Sequence, residues 1–159
     1  MNKPKTVASA ASLGLVPAYE KWRGEGARKV LGYEKGNPVD LWVVPVAEGE
    51  YLEKAAAEQL LALLEEAKAA GHHLTVTSAF RFHEEQRKLH AAYLAGTGNL
   101  AAKPGFSNHQ RGLSVDLGGV GGFQTAAYKW LKQNAPRYGF ENDAPGEHWH
   151  WTYAPGKAA

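Results

Sequence analysis

Apolar side chains recur at three- and four-residue intervals between residues 51 and 70, where Leu60, Leu61, Leu64 and Ala67 fall on one face and Glu and Lys on the other. That period predicts an amphipathic helix, and Gly71 supplies its stop. A second helical pattern runs from His83 to Leu94, ended by Gly96, and a third from Phe123 to Asn134. Between them the apolar runs shorten to strand length. Asp40–Val46, DLWVVPV, is rich in β-formers, with Pro45 placing that part at an edge or a strand end. Leu74–Phe80, Leu113–Leu117 and Trp149–Tyr153 predict three more strands. Residues 17 to 40 mix Gly, Pro and charge and read as loops and short turns. Residues 96 to 112, with Gly96, Gly98, Pro104, Gly105 and Gly112, read as a long loop. The strands are short and interspersed with helices, which predicts an α+β fold: a small antiparallel sheet with flanking helices. Residues 41–159 read as a single domain, and residues 1–40 as an N-terminal extension packed on it or leading into it.

Composition narrows the choices. A chain of 159 residues that is 44% hydrophobic is long enough for one domain with a core of its own. The net charge is +2, and Lys and Arg are scattered, which argues against nucleic acid as a partner. The slight basic excess suits an anionic partner such as a cell wall. There is no cysteine, so disulfides and thiolate catalysis are excluded and any metal is left to His, Asp or Glu. No apolar run approaches the ~18 residues that a membrane span needs. The opening MNKPKTVASAASLGLVPA carries Lys3 and Lys5 before a weakly apolar stretch, and reads as a flexible or surface-packed leader rather than an efficient signal peptide.

Chemistry concentrates in two stretches. One is Ser107-Asn108-His109-Gln110-Arg111-Gly112-Leu113-Ser114-Val115-Asp116; the other is Gly146-Glu147-His148-Trp149-His150-Trp151-Thr152-Tyr153. His109, Asp116 and His150 together offer two imidazoles and a carboxylate, a donor set that suits a catalytic zinc with one position kept for water. Gly112 lets the chain turn between the first two. Strand alternation points His148 and His150 the same way and Glu147 away from both. If Glu147 instead still lies in the turn made by Pro145-Gly146, its carboxylate is free to swing toward the metal and act as a proton carrier. The competing reading is an ordinary aromatic strand, with Asp116 capping a turn, Glu147 a solvated turn acid and Arg81 a surface ion-pair partner. His72, His73, His83 and His90 read as ordinary helix or strand-edge residues. Trp130, Trp149 and Trp151 read as core, with Trp149 able to wall a cleft.

The pattern S-x-H-x-x-G-x-x-x-D followed by E-x-W-H resembles the zinc peptidases of the VanY and LAS group, which cut peptidoglycan stem peptides. A third element agrees: Ser78-Ala79-Phe80-Arg81-Phe82-His83-Glu84-Glu85-Gln86 is similar to the family's S-x-[YF]-R-S-x-x-x-Q. The resemblance covers roughly residues 50 to 153. It implies a LAS/Hedgehog-like zinc peptidase fold, Zn2+ on His109, Asp116 and His150, Glu147 as the catalytic base, and Arg81 facing the scissile carbonyl. It implies a substrate site lined by Gln86 and Ser107, to which Ser114, His148 and Trp149 are candidate additions. Phe82, Ser114 and His148 depart from the commoner family residues and bear on substrate preference. The implied activity is that of a D,D-carboxypeptidase removing the terminal D-alanine of a stem peptide. Its alternatives are a phage-type L-alanyl-D-glutamate endopeptidase and a cell-wall-binding module without catalysis. The implied partner is the stem peptide, the implied location is the periplasm or the cell wall outside the cell, and the implied state is a monomer.

Overall fold

The computed structural model describes residues 26–156, and the N-terminal leader discussed above lies outside them. Two antiparallel sheets form the framework. The first consists of β1 (Arg28–Glu34), β2 (Asn37–Ala47) and β3 (Glu50–Glu53), in the order β1-β2-β3. Residues 28–40 are therefore hairpin rather than the loops the sequence suggested. The turn between β1 and β2 is Lys35-Gly36, both at positive φ (49° and 83°), the mirror-image geometry that matches the twist of a two-residue hairpin. Lysine is a poor residue for that conformation, so the usual sequence signal for the turn is missing. β2 is the central strand, and Pro45 falls near its end, as expected. Its pairing with β1 ends at Val43, and a register shift between Pro45 and Ala47 follows. The N–H that Pro45 lacks is thus not missed by β1.

Helix α1 (Lys54–Ala69) follows β3 directly. It begins later than its periodicity predicts because residues 50–53 pair with β2. Its inner face buries Ala56, Ala57, Leu60, Leu61, Leu63 and Ala67. The second sheet has the order β4-β5-β7-β6, from β4 (Thr75–Ser78), β5 (Ser114–Gly118), β6 (Phe140–Glu141) and β7 (His150–Tyr153). Helix α2 (His83–Leu94) precedes the long loop, and helix α3 (Ala126–Asn134) starts where the Thr125 hydroxyl accepts the Tyr128 N–H. That cap places the helix start after Phe123. A short 3₁₀ turn, Ala135–Tyr138, leads into β6; neither was evident in the sequence. Among the described residues the architecture is α+β, with small antiparallel sheets and three helices.

The core joins α1 to the second sheet through Leu60, Leu63, Val115, Leu117, Tyr138, Phe140 and Trp151. Register then decides what faces the other way. β5 and β7 pair Ser114 with Thr152, Val115 with Trp151 and Asp116 with His150. Because side chains alternate across a strand, Val115 and Trp151 enter the core while Asp116 and His150 emerge together on the opposite face. The first sheet supports that face from the side: Tyr33, Gly36 and Glu53 donate backbone N–H groups to the carbonyls of Gln110, Gly105 and Gly112. Gly112 itself sits at φ 77°, in the left-handed region open to glycine at little cost.

Candidate metal centre and active site

Three atoms converge where the His109 loop meets β5 and β7. His109 Nε2, His150 Nδ1 and Asp116 Oδ1 lie 3.2 Å from one another on every side of a triangle. A tetrahedral zinc centre with bonds of ~2.0–2.1 Å sets its ligand atoms ~3.3 Å apart, so the spacing is that of three corners of such a site. The outward nitrogens fix the tautomers. His109 Nδ1 lies 2.8 Å from the Ala79 carbonyl oxygen, which only accepts, so Nδ1 carries the proton and Nε2 presents a lone pair. His150 Nε2 faces Asp143 Oδ1 at 3.2 Å and Thr152 Oγ1 at 3.1 Å. Its proton sits there when the ring is neutral, which leaves Nδ1 bare toward the triangle. Three lone pairs thus point at one spot, an arrangement that needs a cation between them. The donor set and its geometry fit a zinc ion.

The same arrangement shapes the acidities of these groups. Burial lowers the His109 imidazole, and the Arg81 guanidinium adds to that, against the Asp116 carboxylate, which works to raise it. Burial also works against a charged His150, yet its bonds to Asp116 and Asp143 outweigh it and lift the imidazole to about 9. Burial raises the Asp116 carboxyl, but the adjoining His109 and His150 imidazoles, with the Arg81 guanidinium nearby, hold it well below the usual carboxylate range. Asp116 is the anion that both imidazoles and the guanidinium share.

Arg81 is held on three sides. Its Nε donates to Ser78 Oγ at 3.1 Å, Nη2 to Asp116 Oδ2 at 3.0 Å and Nη1 to Gln86 Oε1 at 3.4 Å. Gln86 is buried, and its amide nitrogen donates to the Ala102 carbonyl at 2.9 Å. Gln86 therefore ties Arg81 to the long loop. Ser107 Oγ accepts the His109 N–H at 3.2 Å and so shapes the ligand loop as well as facing the cleft.

Glu147 lies after the Pro145-Gly146 turn and ahead of β7, which starts at His150. Strand alternation does not reach it, and it lines the same cleft as the three convergent residues. Asn142 secures this turn: its Nδ2 donates to the carbonyls of Glu147 and His150, both at 2.8 Å, while Tyr128 donates to its Oδ1.

The cleft has a volume of about 740 Å³. Arg81, Gln86, Ser107, His109, Asp116, Glu147, Trp149 and His150 all border it, and it extends past Leu89 and Ala92 of α2 to Leu100 and Phe106 of the long loop. Two candidates do not border it. Ser114 is fully buried, with its hydroxyl 2.6 Å from Thr152 Oγ1. It shares the face of Asp116, but its partner across the sheet is Thr152, so the two hydroxyls bond to each other beneath the site. His148 turns away and packs edge-on against Phe123 and Trp149. Sequence reasoning passed over Asp143, Thr152 and Asn142, and gave no role to Ser78 although it opens the third motif. Thr152 was within reach, because it stands two residues after His150 on one strand and so on the same face. Asp143 and Asn142 lie in an irregular turn that carries no period.

Comparison with known proteins agrees with this geometry. The family profile described as VanY, D-alanyl-D-alanine carboxypeptidase, matches residues 49–156. A putative carboxypeptidase YodJ from Bacillus subtilis (strain 168) is 32% identical over 132 residues, covering 69% of this chain and 48% of the relative. A D-alanyl-D-alanine carboxypeptidase from Enterococcus faecalis (strain ATCC 700802 / V583) is 30% identical over 153 residues, covering 77% and 57%. The chain thus spans about half the length of these curated relatives. Among solved structures, a mutant of the vancomycin-resistance D,D-pentapeptidase VanY from the VanB-type cassette, in complex with Zn(II), is 28% identical. Its TM-score is 0.63, with 81% of this chain and 89% of that one covered. The LD-carboxypeptidase LdcB is 29% identical with a TM-score of 0.60, covering 68% and 61%.

Proposed function

This chain belongs to the VanY family of D-alanyl-D-alanine carboxypeptidases, and from that premise we propose that it is a zinc-dependent peptidase that removes the terminal D-alanine from peptidoglycan stem peptides. The observation that carries the reading is the 3.2 Å triangle of His109, Asp116 and His150 in one cleft with Glu147 and Arg81. His109 Nε2, His150 Nδ1 and Asp116 Oδ1 would hold the zinc ion. When bound, the metal supplies Lewis-acid polarisation and makes water more acidic.

The chain's own residues do the rest. Glu147 takes a proton from the attacking water as its oxygen bonds to the scissile carbonyl carbon, and returns that proton to the amide nitrogen as the C–N bond breaks. D-Alanine leaves as the free amine, and the shortened peptide keeps the new carboxylate. The Arg81 guanidinium, held by Ser78, Gln86 and Asp116, presents its remaining N–H groups to the carbonyl oxygen as negative charge develops there. Leu89, Leu100 and Phe106 give the far end of the cleft an apolar wall for the rest of the peptide. The working place of such an enzyme is the periplasm or the cell wall. Among the described residues no helix is long and apolar enough to cross a membrane.

A second reading has support of its own. LdcB, at 29% identity, is an LD-carboxypeptidase, so a tetrapeptide cut on the L,D bond is the nearest alternative. Mass-spectrometric digestion of a defined pentapeptide stem ending in D-Ala-D-Ala, and of the matching tetrapeptide, separates the two. The first reading expects loss of one D-alanine from the pentapeptide, blocked by chelator. Loss from the tetrapeptide alone moves the assignment to the L,D bond. A fragment cut between L-Ala and D-Glu moves it to the endopeptidase class. No cleavage with zinc bound removes the catalytic reading.

A further inference from the structure

At the outer nitrogen of His150 lies a short chain of polar groups, a cleft-side carboxylate and two buried hydroxyls, to which the catalytic reading gives no task. Thr152 Oγ1 donates to Asp143 Oδ1 at 2.8 Å, and Ser114 Oγ lies 2.6 Å from the same Thr152 oxygen. Ser114 is 0% and Thr152 5% exposed. A threonine hydroxyl has one hydrogen. Thr152 spends it on Asp143, so the contact with Ser114 requires Ser114 to donate. Every hydroxyl proton in the chain therefore points toward the Asp143 carboxylate.

This direction has a consequence at His150. Its Nε2 meets Asp143 Oδ1 at 3.2 Å and Thr152 Oγ1 at 3.1 Å. Asp143 only accepts, and the hydrogen of Thr152 is already committed. A bare lone pair at Nε2 would face two acceptors, so Nε2 carries a proton. We propose that Asp143 is the positioning residue of His150: its carboxylate, aligned by Thr152 and Ser114, holds the Nε2 proton and so keeps Nδ1 as the bare nitrogen at the centre of the triangle. The inference rests on the reading of His150 as a zinc ligand. It also gives Ser114 a place behind the ligand in this chain, not in the substrate cleft.

Asp143 thereby differs from a merely structural acid. Without the carboxylate, the Thr152 hydroxyl is free to rotate and donate to Nε2. The proton then shifts to Nδ1, the atom that must bind metal. Partners that orient a ligating histidine are worth ~10–100-fold in metal affinity.

The test measures zinc affinity of the full chain by chelator competition, together with the exchange rate of the His150 Nε2 proton in the ¹⁵N-labelled, zinc-loaded protein. Asp143→Leu is expected to weaken zinc binding ~10–100-fold and to lose the slowly exchanging proton. Asp143→Asn keeps an acceptor oxygen and is expected to recover most of both. Thr152→Val removes the alignment without offering a competing donor and is expected to weaken zinc by a smaller factor. If Asp143→Leu does not fold, the Asn and Val variants carry the same ordering. Zinc affinity and a protected Nε2 proton unchanged in Asp143→Leu, or in Thr152→Val, would overturn the proposal. His150→Ala is the control for the reading beneath it: zinc affinity unchanged there sinks His150 as a ligand, whereas lost affinity there with Asp143→Leu unaffected sinks the positioning role alone.

Discussion

The two sides of the cleft are built on opposite terms. On the ligand side each ligand side chain is held from behind: His109 by the Ala79 carbonyl, Asp116 by Arg81, and His150 by Asp143 and Thr152. On the other side, Glu147 rides on a turn whose main chain is clamped by Asn142, while its carboxylate has no hydrogen-bond partner among the described residues. Binding a metal rewards donors already fixed at the right spacing, because any order imposed later subtracts from affinity. Carrying a proton from water to a leaving amine rewards a group able to reach both. The difference in packing thus matches a difference in task.

That contrast can be broken from the ligand side first. His109→Ala removes one corner of the triangle and is expected to abolish both zinc retention and D-alanine release, read by metal analysis and by peptide digestion. Zinc held at full occupancy in that variant would end the description of the ligand side. Arg81→Ala comes next, with kcat expected to fall ~10²–10³-fold on loss of a donor to the developing charge. Arg81→Lys should recover little of this, because an ammonium cannot bond Ser78, Gln86 and Asp116 with one planar fork. Steady-state kinetics of both variants is the check.

The Glu147 side is probed by Asn142→Ala, which frees the carbonyls of Glu147 and His150. We expect kcat to fall about tenfold, since a modest misplacement of a reacting group is costly, with zinc affinity moving much less. An equal loss in both would mean that the two sides are not independent. The smallest effect is expected at Ser114→Ala. Loss of one buried hydroxyl bond should cost about 1 kcal/mol of stability by denaturant unfolding and leave KM for the peptide unchanged. A large rise in KM would return Ser114 to the substrate cleft.

What the sequence revealed follows the same division. His109, Asp116, Glu147, His150, Arg81 and Gln86 stand in short local patterns, and all six border one cleft. Trp151, read as core from the sequence, is buried, and Trp149, read as able to wall a cleft, borders that same cleft. The Ser114–Thr152 pair was hidden because it depends on the register between two strands lying 38 residues apart. Asp143 and Asn142 were hidden because a turn has no hydrophobic period and their partners are mostly remote or main-chain atoms. The hairpin at residues 28–47 was missed for a local reason: Lys35 occupies a positive-φ position where glycine or asparagine would have signalled the turn.

The most direct test of the division is a paired measurement on Glu147→Gln, with bound zinc and D-alanine release from a pentapeptide stem determined on the same preparation. Glutamine keeps the size of the side chain and removes its ability to take a proton. The account predicts zinc bound as in the unaltered protein and turnover reduced ~10²–10⁴-fold, the range for loss of a general base. Full turnover would contradict the role of Glu147, and loss of zinc would contradict the separation of the two sides.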